Sequence, residues 1–149
     1  MAKLNISNDW WTAPAEAENG NLIMVTGRRN LANVKETGKY VFRVEMTWPY
    51  EPDDMGMPQT KDSRLMENVQ DAIEAVFSKD PVAVNSGIYT GDGERNWVFY
   101  TRSLFIFQKK LNEALAQFEE ALPLTFHAEE DPDWEEYQEM CNCEVEAAD

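Results

Sequence analysis

The chain has 149 residues, with 13 Lys+Arg against 28 Asp+Glu and a formal net charge of −15. That length makes one domain of ordinary size, able to bury about two-thirds of its unfolded surface without staples. The charge repels phosphate backbones and anionic lipid, so neither nucleic acid nor membrane is an expected partner. Cys141 and Cys143, the two cysteines, are separated by Asn142 alone and close no useful loop, which excludes a disulfide scaffold. With no apolar leader and no apolar run near the ~18 residues that span a bilayer, a soluble, cytoplasmic protein is expected.

The acidity is a C-terminal feature. Ten of the 28 acids lie between His127 and Asp149, with no base among them. As a solvated tail this segment aids solubility; as a contact it suits the basic surface of a partner.

In chain order, residues 9–27 read as a β-hairpin: two β-prone runs, Asp9–Ala17 and Leu22–Thr26, around Asn19-Gly20. A polar stretch with a short helical turn at Asn30–Val34 leads to Gly38. Lys39–Trp48 is the clearest strand, with Tyr40, Phe42, Val44, Met46 and Trp48 on one face and Val41, Arg43, Glu45 and Thr47 on the other. Pro49–Thr60, holding three prolines and Gly56, is a loop. Leu65, Met66, Val69, Ala72, Ile73, Val76 and Phe77 then recur at helical spacing, with Asp62 or Ser63 as N-cap.

A strand from Pro81 to about Tyr89 turns at Gly91-Asp92-Gly93 into a second, Asn96–Thr101. Ser103 caps a second helix, whose apolar positions run from Phe107 to Leu122 before Pro123. A short strand, Leu124–Ala128, follows. Asp131-Pro132-Asp133 reads as the cap of a terminal helix over 133–141, with Asn142–Asp149 a frayed acidic tail.

The expected fold class is therefore α+β. A ferredoxin-like split β-α-β-β-α-β body over 39–129 is preceded by a hairpin over 9–27 and followed by an acidic helix over 131–141, all one domain over 1–141. In that topology the first and last strands of the body lie side by side, the third flanks the first, and both helices cover one face.

Trp10-Trp11, Thr47-Trp48, Met57-Pro58, Trp97-Val98-Phe99-Tyr100-Thr101 and Asp131-Pro132-Asp133-Trp134-Glu135-Glu136-Tyr137 form a set of local motifs. Together they resemble the bacterial domain of unknown function numbered 695. The resemblance covers roughly residues 10–138. It implies no activity, substrate or catalytic residue. Some members join this domain to one similar to the ribonuclease E inhibitor B family, from which a regulatory role would follow; no such second domain is expected here.

No nucleophile elbow, phosphate-cradling loop or His-Glu-x-x-His motif is present. With one histidine, His127, no multi-histidine metal site forms within one chain, and no metal or cofactor is expected. The one polar constellation lies on the sheet face turned away from the helices. Arg43, Glu45, Tyr100 and His127 would share it if Phe42, Trp97, Phe99 and Phe126 face inward, forming a candidate ligand face. Candidate partner contacts are Tyr50, Met55 and Met57 in the loop, and Trp134 and Tyr137 on the acidic helix. The expected function is a non-enzymatic binding or regulatory module acting through contacts with a basic protein surface or a second copy. The alternative is a small-molecule or hydrolytic site on the polar face.

Overall fold

A computed structural model describes residues 4–148 as an α+β domain. Its elements are β1 (Trp10–Glu16), β2 (Leu22–Arg28), α1 (Ala32–Glu36), β3 (Phe42–Pro49), α2 (Thr60–Lys79), β4 (Ala83–Gly91), β5 (Glu94–Thr101), α3 (Leu104–Leu115), β6 (Thr125–Glu130) and α4 (Glu135–Ala148). The strands form one sheet in the order β1-β2-β4-β5-β3-β6, with every neighbouring pair antiparallel.

This order differs from that of a ferredoxin-like sheet standing alone, because the first hairpin pairs with β4 and continues the sheet by two strands. Its tip is tied down by charge-assisted hydrogen bonds: the Asn19 and Asn21 side-chain amides donate to the two carboxylate oxygens of Asp92, at 3.0 and 2.6 Å. Asp92 sits in the β4–β5 turn at φ 54°, where Asp tolerates the left-handed region better than most residues.

The strong alternation of β3 fixes its two faces. Val44, Met46 and Trp48 join Trp97 and Phe99 of β5 under α2 and α3, where Met66, Val69, Ile73, Phe77, Phe107 and Leu111 complete one core layer. Phe107 stacks on Phe77, with centroids 5.6 Å apart and planes at 6°, and meets Phe99 at 5.1 Å. The opposite face is not open. Trp11, Val25, Val84, Val98 and Tyr100 from the sheet meet Leu31, Val34, Trp134 and Met140 in a second buried layer. Alternating strands require this once β4 and β5 carry apolar residues on both faces.

Several boundaries differ from expectation. Tyr40 precedes β3 and packs in the second layer rather than beside Val44. Helix α2 begins at Thr60 after an extended Gln59 and has no side-chain cap; Asp62 lies in its first turn, where the helix dipole favours it. Ser103 does cap α3, accepting from Ile106 N–H at 3.2 Å. That helix stops at Leu115, and Phe118, Leu122 and Leu124 reach the first layer from irregular chain.

The largest difference is at the C-terminus. The helix does not fray at 142 but continues to Ala148, and Arg29 donates to Glu144 Oε1 from Nε at 3.0 Å and from Nη2 at 2.5 Å. Asp149 lies outside the described residues. Trp134, just before α4, holds a φ of 56°, an outlier for a bulky side chain that costs on the order of 1–3 kcal/mol. Its ring is sandwiched on Tyr100 at 4.0 Å and meets Tyr137 edge-on at 5.5 Å, and Nε1 donates to the Tyr40 carbonyl at 2.8 Å. Replacing Trp134 with alanine is expected to lower stability by about 3–5 kcal/mol in urea melts. Phe105→Ala, which truncates a ring 78% exposed, should change it by about 0.5 kcal/mol or less.

Candidate functional site

Strand register brings the polar constellation together. Arg43 stands opposite Tyr100 on β5 and Glu129 on β6, while Glu45 stands opposite Val98 and His127. Antiparallel partners directly opposite each other point to the same face, so Arg43, Glu45, Tyr100 and His127 share one surface. Helix α4 divides that surface into a covered part and an open part.

Tyr100 is in the covered part. It is fully buried beneath Trp134 and donates its phenol proton to Asp131 Oδ2 at 2.7 Å. Asp131 in turn accepts from the backbone N–H groups of Glu135 at 3.0 Å and Glu136 at 3.2 Å, so one carboxylate caps α4 and pins it to β5. Burial pushes the Asp131 pKa up, but the hydrogen bonds from Tyr100, Glu135 and Glu136, with Arg43 nearby, hold it below the ordinary carboxylate value.

Arg43 is the hub of the charge. Its guanidinium pairs with Glu129, lies 3.7 Å from Asp131 and 3.8 Å from Glu45, and its Nε is buried without a hydrogen-bond partner. Glu136 faces the same cluster from α4. Its Oε1 accepts from the Tyr89 hydroxyl at 2.5 Å, while Oε2 is buried without a partner. Burial raises its pKa, with Glu45 and Asp131 adding to the rise against Tyr89 and Arg43. His127 is 66% exposed at the open margin, 3.8 Å from Glu129.

Asp131, Glu136 and Tyr89 were not among the candidate residues. Asp131 is legible as a cap, but not as Tyr100's partner. The signal for Glu136 is the spacing of Trp134, Tyr137 and Met140, three apart, which marks the face of α4 that lies on the sheet.

The expected partner contacts have separate places. Trp134 is buried, and Tyr137 is half-buried with its hydroxyl donating to the Arg28 carbonyl. Tyr50 packs against the first core layer and donates to the Gly56 carbonyl at 2.6 Å. Met57 is half-buried, and its N–H donates to Asp53. Met55 is 66% exposed. Other large apolar side chains in solvent are Leu104, Phe105 and Ile106 on the first turn of α3, and Phe126, 52% exposed on β6.

A cleft of about 640 Å³ lies elsewhere, between Leu4–Asn8, α2 and β4. Arg28 closes its floor, donating to the Ser7 and Asn85 carbonyls and to Glu74, with Trp10 against its guanidinium at 4.6 Å. All three guanidinium nitrogens of Arg28 donate within the fold. Among the described residues no group of three or more His, Cys, Asp or Glu could hold a metal ion, and no helix is long and apolar enough to cross a membrane.

The fold and this face define an α+β domain in which Tyr100 and Asp131 of the polar face seat the last helix. Over residues 8–141 the chain matches a family described as "Family of unknown function (DUF695)", and it belongs to that family. No curated protein and no solved structure matches it.

Two consequences are measurable. Asp131→Ala removes a helix cap, worth about 1 kcal/mol, and leaves the buried Tyr100 hydroxyl proton without its acceptor, worth about 1–3 kcal/mol, although the oxygen still accepts from Tyr137 N–H; chemical denaturation should show the combined loss. The second concerns the tyrosines, all five of which have pKa values raised above the ordinary phenol, with burial as the first cause. The native state therefore holds these protons more tightly than the unfolded chain, so this stabilisation is complete below pH ~10 and is lost as pH rises beyond it. In an alkaline titration, phenolate absorbance should appear together with the loss of ellipticity and not before it.

Proposed function

We propose that the chain is a non-enzymatic binding or regulatory module that works through contact with a basic protein surface. The reading is carried by how the face divides its groups. The residues able to do chemistry, Tyr100, Asp131 and Arg43, are tied to one another, whereas Phe105 and Phe126 stand largely in solvent, with Leu104 and Ile106 partly exposed beside Phe105. A phenol kept protonated by burial, such as that of Tyr100, is a poor base or nucleophile. Large exposed aromatic side chains on a strongly acidic domain suit a protein contact.

We also read β3 to β6 with α2 and α3 as a split, ferredoxin-like unit to which the hairpin and α4 are additions. Supporting this, β3 lies between β5 and β6, and α2 and α3 pack on one face. The alternative small-molecule or hydrolytic reading draws on one observation, the exposed His127 beside Glu129.

Immobilised protein should capture a basic partner from cytoplasmic lysate at low salt and release it at 1 M salt, where the Debye length is ~3 Å. The Phe105→Ser, Phe126→Ser double variant should lose the capture. A metabolite that raises the melting temperature, with the gain abolished by His127→Ala, would instead favour the small-molecule reading.

A further inference from the structure

The two edges of the sheet are protected differently. The outer edge strand β1 carries Pro14, which cannot donate to an added strand, and it lies against α4 through the second core layer. The other edge, β6, has neither Pro nor Gly, and all six of its residues are exposed.

The direction of its free backbone groups follows from one bond. Asp131 N–H donates to the Val41 carbonyl at 2.8 Å, and the register that pairs Phe42 with Glu130 places these two residues opposite each other. In an antiparallel ladder, hydrogen-bonded and non-hydrogen-bonded pairs alternate. Thr125, His127 and Glu129 therefore bond to β3, while Phe126, Ala128 and Glu130 turn their N–H and C=O groups outward. The bond from Tyr50 N–H to the Gly93 carbonyl, 2.9 Å, sets the same alternation on the β5 side of β3. On one face of this edge is Phe126, opposite Met46 and 52% exposed. On the other face the partly exposed Glu45 and Glu129 share the single guanidinium of Arg43, which also neighbours the buried Asp131, so negative charge exceeds positive beside this edge.

We propose that β6 is a docking edge for an extended basic segment of a partner protein, which adds to the sheet as a seventh strand. Main-chain bonds form to Phe126, Ala128 and Glu130, basic side chains meet the carboxylates around Arg43, and apolar ones cover Phe126. The proposal rests on the protein-contact reading above and deepens it by naming the surface and the chemistry of the partner. A second copy is a poorer occupant, because each chain carries a net charge of −15.

The probe is a peptide alternating lysine and valine, about as long as β6, titrated into the isotope-labelled full chain. Amide shifts and slowed hydrogen exchange are expected at Phe126, Ala128 and Glu130, with affinity falling as salt rises. Ala128→Pro deletes one outward N–H and leaves the β3 ladder intact, and it should weaken binding about tenfold, the effect of losing one backbone bond of about 1.4 kcal/mol. Should that variant fail to fold, the same peptide N-methylated at the residues facing β6 makes the same test from the other side. Equal binding by a lysine–proline peptide would show bulk attraction only and overturn the proposal. So would shifts confined to another surface, or sedimentation showing that two copies already pair through β6. Lysate capture that persists undiminished in Ala128→Pro overturns the docking edge while leaving the protein-contact reading standing. Absence of salt-sensitive capture by either chain overturns that reading itself.

Discussion

Asp131 is where sheet, helix and charge meet. It follows directly on β6, its carboxylate caps α4 through two backbone N–H groups, it accepts the buried Tyr100 hydroxyl, and it lies beside Arg43. An ionised carboxylate holding several hydrogen bonds in a partly desolvated place is much stronger than the same bonds in water. Because that one group fixes where α4 begins, it fixes what the helix covers. Trp134 falls on Tyr100, Met140 falls over Gly87, and the second core layer closes. Gly87 suits this position because a Cβ there would collide with the Met140 thioether.

The same node sets opposing responses to pH. Asp131, held below its ordinary pKa, contributes stability above the unfolded carboxylate range and loses it as pH falls through its folded value. Glu136, raised mainly by burial, behaves in the opposite sense. The native state favours its proton, and stability declines as pH rises from the unfolded value through the folded one. Docking of α4 is therefore strongest between the two, and the partnerless Oε2 of Glu136 and Nε of Arg43 mark where the seat is least complete.

The strands and their facing were legible because alternation is a local signal. Val44, Met46 and Trp48 divide from Arg43, Glu45 and Thr47 without reference to any other element, and the shared face of Arg43, Glu45, Tyr100 and His127 follows. What covers that face was not legible. Whether Tyr100 meets solvent depends on a helix that arrives after residue 131, and the acids of that helix read as a solvated tail because charge alone does not reveal Arg29 and Arg43 waiting on the body. The hairpin is a similar case. Its turn chemistry is local, but its place beside β4 comes from the ladder of residues 23–27 with residues 87–91, and from Asp92 holding Asn19 and Asn21, residues more than seventy positions away. Phe126 lies on the helix side as its spacing requires, yet β6 is an edge that α3 does not cover, and so the ring remains in solvent.

Sequence charge and structural charge thus tell different stories about the same acids. Counted along the chain, the segment after His127 is a featureless run of carboxylates. In the fold four of these acids have distinct places: Asp131 and Glu136 are drawn inward to seat α4, Glu144 is paired with Arg29, and Glu129 joins Glu45 of β3, half-exposed, around Arg43. Arg43 is mostly covered, but the carboxylates of Glu129 and Glu45 lie partly in solvent, where screening weakens what they contribute to stability. On the docking-edge proposal, the position of Glu129 and Glu45 beside an unpaired strand edge would offer those carboxylates to a basic partner strand, a role that charge at an edge can fill without cost to the core.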